Sequence, residues 1–585
     1  MGFLCKEKLN RIFSPLVLSG LFVTAFFVWL YNAYGIFYLS NDDTGIMKTY
    51  SGYATGEPTA YHAYGSYTLG LFFKALYTIA PMLNWYTYGS ILVVIISNAV
   101  IISCIYKMRN KDDNKLKYLD FLIIGILVIA IGLYGINRIS WTMNAVFAAA
   151  AGVMLLFTFL EMSGRRWRLY AAAVCFFTVS MLIRNASYKA VLPFALLVIV
   201  CHTAKGLEKP FLCRQNAGKL AICFLLMLPL LAVYGYNRID VGIKQQVFPN
   251  SSDSFEHYRG LFTDSYHIPY EGNEEFYQSI GWDAEFYDMT RSWFFIDPRF
   301  NTENLKAIAE KSLKHRTETV EEGGSIIYWD EFKSATEDNP VREAMTIAVV
   351  LLLLFGMVML VYALMKRKGW QDWALIVCAQ LLAIAEWGWL VAGRGRFIDR
   401  AFYCAVLPAL FTGLWVIAKN AAIMEGRKVL YVLAGIIAIW GIRLTSERNI
   451  SIESAESTTR SSQISVDADR IAFNHPENLY ISDTSIAGGV FLFLDMNLTG
   501  CGKNRMLWGG TGVFSKPFYK TIGRFGYEEF YSENLFDDNV YYMTTNADID
   551  GSAFMAYMKK TFGNSVTAEV VETSDSGIYI YDMKR

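Results

Sequence analysis

The chain has 585 residues, of which 54% are hydrophobic, 15% aromatic and only 18% charged, with 53 basic and 53 acidic side chains. Soluble domains carry roughly 45–50% apolar and 25% charged residues, so this composition excludes an ordinary soluble protein and indicates a polytopic membrane protein with some soluble mass. A net charge of zero argues against a nucleic-acid partner, which needs a basic face.

The N-terminus, Met1 to Arg11, is short and basic, and the apolar run that follows is too long for a signal-peptide core. A spanning helix needs about 20 apolar residues. By that rule the expected spans are 15–39, 86–106, 118–136, 141–162, 168–184, 188–204, 219–236, 344–365, 370–393, 401–418 and 428–444. The basic loops around Lys107–Lys111, Arg165–Arg168, Lys205–Lys219, Lys366–Lys368 and Arg427–Lys428 all fall on one side of this arrangement. Positive loops stay inside, which predicts a cytoplasmic N-terminus and an exterior C-terminal domain in a multi-pass cell-membrane protein. Residues 66–83 are helical in pattern but short and carry Lys74. They are expected to lie in the plane of the interface, because a crossing there would flip every later basic loop.

The expected organisation is an N-terminal membrane region, 1–236, whose first exterior loop is 40–85. An exterior insertion, 237–343, a second membrane region, 344–444, and an exterior tail, 445–585, follow. The tail reads as a small α/β domain, with strand-like runs at 479–482, 540–544, 568–572 and 578–581 and a helix at 552–560. Residues 451–465 are polar enough for a linker. Six cysteines lie in apolar runs, Cys5 and Cys213 in basic flanks, and Cys501 alone in an exterior region, so no exterior disulfide is expected. No Cys/His spacing suggests zinc. The Trp508-Gly-Gly-Thr-Gly512 stretch reads as a turn, and Gly500-Cys-Gly-Lys503 lacks the remaining features of a phosphate-binding loop.

Ionisable residues gather at the predicted outer face. Asp42 and Asp43 follow the first span, where they either cap a helix end or have a task, since acids near hydrocarbon are costly to keep ionised. Arg138, Arg184, Lys189, Glu386, Arg394, Arg396, Asp399 and Arg400 are placed on the same side. Arginine offers a fork of donors suited to phosphate oxygens, and headgroup pairing is the plainer alternative. The insertion segment Trp282-Asp283 to Trp293 mixes aromatic faces with carboxylates, which suits sugar rings or a packed core.

Helix one followed by Asn41-Asp42-Asp43, the loop Gly56-Glu-Pro-Thr-Ala-Tyr61, the segment to Pro81-Met-Leu-Asn-Trp85-Tyr86, Leu182-Ile-Arg184 and Ile280-Gly-Trp-Asp283 together resemble the GT-C superfamily. These are polytopic glycosyltransferases, and the resemblance is to bacterial cell-envelope members. It covers the membrane region well and the tail loosely. It implies transfer of sugar from a polyprenyl-phosphate donor to a glycan or lipid acceptor at the outer face of the membrane. Asp42 or Asp43 would be the general base, and Arg184, Arg394, Arg396 and Arg400 would hold the donor phosphate. His62, Glu386, Trp282 and Asp283 are implied acceptor contacts. A divalent cation, Mg or Mn, used by some members, would sit on Asp42 and Asp43. A lipid-linked saccharide transporter or a non-catalytic envelope scaffold is the alternative.

Overall fold

A computed structural model describes residues 14–39, 41–53, 55–62, 65–110, 117–162, 167–207, 214–248, 253–323, 333, 340–366, 369–394, 399–420, 452–486, 502–510 and 512–585. Nine helices among these are long and apolar enough to cross a membrane, and the chain is a mainly helical, multi-pass membrane protein. The crossing helices are α1 (Pro15–Tyr34), α4 (Trp85–Arg109), α5 (Tyr118–Asn137), α6 (Trp141–Glu161), α8 (Asn185–Lys205), α9 (Arg214–Val247), α14 (Pro340–Met365), α15 (Trp370–Arg394) and α16 (Asp399–Asn420). The expected span 168–184 is the shorter apolar helix α7 (Trp167–Ile183), of 17 residues. The eleventh, 428–444, lies outside the described residues.

Two helices form the centre of the bundle. Nearly every residue of α6 is buried, and its run Ala148-Ala-Ala-Ala-Gly152 lets neighbours approach closely. A Cβ at Gly152 would stand 3.1 Å from the Phe177 ring of α7. The other central helix, α16, stacks Trp415 on Phe157 at 4.4 Å. By contrast α1 and α14 leave most of their apolar surface uncovered by protein, as helices facing lipid do. Glu161, Lys205, Asp372 and Lys419 converge at one end of the bundle, with Lys205 2.8 Å and Lys419 2.8 Å from Glu161. That end lies opposite Asp42.

The short helix α2 (Asn41–Ser51) follows α1, and α3 (Tyr67–Ile79) follows it. At 1.5 Å per residue, α3 is about 20 Å long, too short to cross about 30 Å of hydrocarbon. It buries Phe73 and Tyr77 and exposes Leu71, Phe72 and Ile79, the division expected of an in-plane helix. Its N-terminus is held by Asp240 of α9, which accepts from the Ser66 hydroxyl at 3.0 Å and from the Tyr67 and Thr68 N–H groups at 2.9 Å. Here α9 departs from the expected span: it continues past residue 236 to Val247, and that extension supplies the cap.

The insertion contributes α10 (Asp253–Asp264), α11 (Glu274–Ser279), α12 (Ala284–Arg291) and α13 (Thr302–Gly323). The tail begins with α17 (Ile452–Asn474), so the expected linker at 451–465 is helical from Ile452. Its polar residues disguise an amphipathic pattern whose buried face includes Ser465, Ala468, Asp469 and Ala472. Asn420 closes the bundle at the end away from Asp42, whereas α17 lies on the Asp42 side, joined to α2 through Lys48 and Asp469.

Seven strands are described. Two form a minimal parallel pair: β1 (Phe37–Tyr38) and β2 (Arg138–Ile139). The others are β3 (Leu479–Ser482), β4 (Arg505–Leu507), β5 (Val540–Thr544), β6 (Thr567–Thr573) and β7 (Tyr579–Lys584), ordered β4-β3-β5-β7-β6. β3 runs parallel to both β4 and β5, and β7 antiparallel to β5 and β6. Helices α18 (Lys516–Gly523) and α19 (Ala553–Phe562) complete this α/β unit. Insertion and tail share one hydrophobic core: Phe294 meets Trp508 at 5.1 Å, and the Phe295 N–H donates to the Trp508 carbonyl at 2.9 Å.

Candidate active site

The β1–β2 pair ties the exit of α1 to the α5–α6 turn, with the Leu39 N–H donating to the Ile139 carbonyl at 2.8 Å. This sets the first turn of α2 over the start of α6. Asp43 is fully buried there. Its Oδ1 accepts from the Tyr86 hydroxyl at 2.7 Å and from the Trp141 N–H at 2.8 Å, an amide at the helix N-terminus that has no partner within its own helix. Its Oδ2 is buried without a hydrogen-bond partner among the described residues. Burial pushes the carboxyl up to about 7, against the pull of the Tyr86 and Trp141 bonds.

Asp42, one residue earlier, points elsewhere. Its side chain is one-third exposed, and its Oδ2 lies 3.0 Å from Nη1 of Arg400, in the first turn of α16. Asp42 lines two cavities. The inner one, about 830 Å³, is bordered by Arg184, Lys189, Glu386, Trp389, Leu390 and Arg400. The outer one, about 580 Å³, is bordered by Lys48, Tyr53, His62, Asp469, Arg505 and the Gly509–Gly510 turn. Asp42, Trp141 and Trp293 belong to both linings, so they stand where the cavities meet. Asp43 lines neither.

The inner cavity draws its cations from separate helices. Arg184 sits between α7 and α8, with its guanidinium 4.1 Å over the Trp141 ring and donating to the Thr142 hydroxyl. Arg259, on α10, is held 2.8 Å from Glu256. The Lys189 ammonium lies 5.5 Å from the Tyr234 ring. Arg400 keeps one buried guanidinium nitrogen, Nε, without a hydrogen-bond partner among the described residues.

In the outer cavity, Lys48 of α2 lies 2.7 Å from Asp469 of α17, and Arg505 of β4 lies 2.6 Å from the same carboxylate. Asp469 is buried, and the two cations hold its carboxyl below the usual range against that burial. His62 is buried beside the Trp141 ring at 5.1 Å, with Nδ1 accepting from the Gly65 N–H at 2.8 Å. Burial, then Lys244 and Arg184, push it down to about 3, so it is neutral at physiological pH.

The structure thus gathers Asp42, Asp43, Arg184, Arg400, His62 and Glu386 in one region. Trp282 and Asp283 line neither cavity. Trp282 is buried in the insertion core, its Nε1–H donating to the Arg299 carbonyl at 3.1 Å. Asp283 caps α12 by accepting from the Phe286 N–H at 2.8 Å and meets Arg299 at 3.2 Å. Arg394 ends α15, its side chain is not among those described, and Arg396 lies outside the described residues. Trp141, Trp293, Lys48, Asp469 and Arg505 escaped the sequence reading. Trp293 lay in the aromatic stretch already noted, but the signal that separates it from Trp282 is Gly509. A Cβ there would fall 1.6 Å from the Trp293 carbonyl oxygen.

Among the described residues no three His, Cys, Asp or Glu side chains form a cluster fit for a metal ion. The Asp42–Asp43 pair offers two carboxylates, one already facing Arg400 and the other drawn inward.

No protein-family model and no curated relative matches the chain. Among solved structures, ArnT from Cupriavidus metallidurans is similar in the apo state, at 11% identity and a TM-score of 0.40, over 96% of this chain and 97% of that one. The same protein bound to undecaprenyl phosphate is similar at 12% identity and a TM-score of 0.39, over the same shares.

Proposed function

We propose that the protein is a glycosyltransferase of GT-C type that uses a polyprenyl-phosphate sugar donor at the exterior face of the membrane, with Asp42 as general base. The observation that carries this reading is the place of Asp42, where a cation-lined cavity at the ends of α8, α15 and α16 meets a hydroxyl-rich cavity beneath the α/β unit. A two-substrate transfer needs such a junction: donor on one side, acceptor on the other, and a carboxylate within reach of both.

In this reaction Asp42 takes the proton of an acceptor hydroxyl as that oxygen attacks the anomeric carbon. The bond between the anomeric carbon and the phosphate oxygen breaks, and its electron pair leaves with the polyprenyl phosphate. Attack opposite the leaving group inverts the anomeric centre. Arg184 and Arg400, with Lys189 nearby, stabilise the growing phosphate charge. Asp43 holds α2 against Trp141 and Tyr86, so it positions the base. Arg400 places positive charge beside Asp42, the task a divalent cation would otherwise share with donor oxygens and water.

The test is transfer of labelled sugar from polyprenyl-phosphate donors by purified wild type beside Asp42→Asn. Transfer and slow donor hydrolysis that both vanish in the variant support the reading. Activity that survives in a folded Asp42→Asn protein removes Asp42 as base.

A further inference from the structure

The outer cavity has a chemistry of its own. Apart from Trp141, the first residue of α6, its lining comes from elements that do not cross the membrane, and it includes the hydroxyl-bearing Thr44, Thr49, Ser465 and Thr484. Its charges balance: Lys48 and Arg505 oppose Asp42 and Asp469, and His62 is neutral. A volume of about 580 Å³ falls within the range of small-ligand sites.

Trp293 is the most constrained side of this space. Its φ of 62° puts a bulky residue in the left-handed region, a conformation that costs about 1–3 kcal/mol and persists only where neighbours enforce it. Gly509 enforces it by leaving room for the Trp293 carbonyl, and the Phe295–Trp508 backbone bond fixes the following residues. The indole stays half-buried at the junction, where Asp42 also lines both cavities. The Arg259 guanidinium of the inner cavity lies 5.8 Å from the indole centroid, whereas the outer cavity, lined by Thr and Ser residues and without net charge, offers the indole to the CH face of a neutral sugar ring.

Resting on the transferase reading above, we infer that the acceptor is a neutral, water-soluble saccharide whose terminal ring stacks on Trp293 in the outer cavity and reaches Asp42 from the aqueous side. A lipid anchor contributes nothing to its recognition.

The test uses the full chain in nanodiscs, with neutral tetrasaccharides of glucose, galactose, mannose or N-acetylglucosamine as probes and saturation-transfer NMR as readout. At least one soluble tetrasaccharide shows saturation of its ring protons. The signal falls at least fivefold in Trp293→Gly, a change that removes the indole and relieves the backbone, and stays within twofold in Trp293→Phe. Silence from every soluble probe, signal only when the same sugars ride on a diacyl anchor, or an unchanged signal in Trp293→Gly each overturns the inference. Donor hydrolysis is followed in parallel. Asp42-dependent hydrolysis without saccharide saturation overturns the acceptor assignment and leaves the transferase standing. Trp293-dependent saturation without hydrolysis or transfer supports the saccharide site and overturns the transferase.

Discussion

The Asp42 carboxylate and the Arg400 guanidinium meet at 3.0 Å across 358 positions of sequence. The contact joins the first turn of α2 to the first turn of α16, so Asp42 is held by a helix from the far half of the chain. Asp43, its neighbour, faces the opposite way into Tyr86 and Trp141.

This division separates the two aspartates by experiment. Asp42→Asn lowers transfer by about 10²–10⁴, the usual worth of a general base. In Asp43→Asn the side-chain oxygen still accepts from Tyr86 and Trp141, and the new amide replaces an oxygen that has no partner among the described residues. Its transfer rate stays within about tenfold of wild type, given about 1.4 kcal/mol for each factor of ten. Initial rates under saturating donor decide the matter.

Asp43 also gives the protein a pH signature. Its folded value of about 7 lies above the ordinary carboxylate value of 3.8, so the folded state holds the proton more tightly than the unfolded state. The stability this contributes is complete below about 3.8 and is lost as pH rises through about 7. The apparent Tm of wild type therefore falls as pH rises from about 4 to about 7 and levels off above that, and Asp43→Asn lacks that component. Asp469 acts in the reverse sense: its lowered value contributes stability that disappears as the solution is acidified.

Asp469→Asn leaves Lys48 and the largely buried Arg505 without their shared carboxylate. Removing one partner of a buried pair costs about 3–5 kcal/mol. Lys48→Met is milder, since Arg505 keeps its bond to Asp469. Thermal midpoints order the variants as wild type, Lys48→Met, Asp469→Asn.

Arg184→Gln removes a guanidinium from the inner cavity. A charge-assisted hydrogen bond is worth about 1.5–3 kcal/mol, so the donor KM rises roughly 10- to 100-fold by the same conversion. The acceptor KM holds. An unchanged donor KM takes Arg184 out of the phosphate site.

Chelation gives a separate test. With Arg400 beside Asp42 and no third metal-binding side chain among the described residues, EDTA leaves transfer within twofold. A loss restored by Mg or Mn assigns a cation to the aspartate pair.

Periodicity carried most of the membrane architecture, because apolar runs of spanning length admit few readings. It also separated α3 from the spans, since Lys74 and the later basic loops agree. Long-range pairing was hidden. Nothing near Lys48 announces Asp469, and α17 reads as a polar linker because half of an amphipathic helix is polar. The aspartate pair was visible, but which member faces the cavities depends on the β1–β2 contact. Trp282 and Trp293 are alike in sequence; one is core and the other borders both cavities, a difference set by the turn at Gly509.

Strand β7 lies inside the sheet, hydrogen-bonded to β5 on one side and β6 on the other. During synthesis Asp42 leaves the ribosome early, whereas the sheet whose β4 lines the outer cavity is complete only after Tyr579–Lys584 has taken its place. A nascent chain thus carries Asp42 long before the α/β unit can form, and a protein cut short before β7 would expose that carboxylate beside an incomplete sheet.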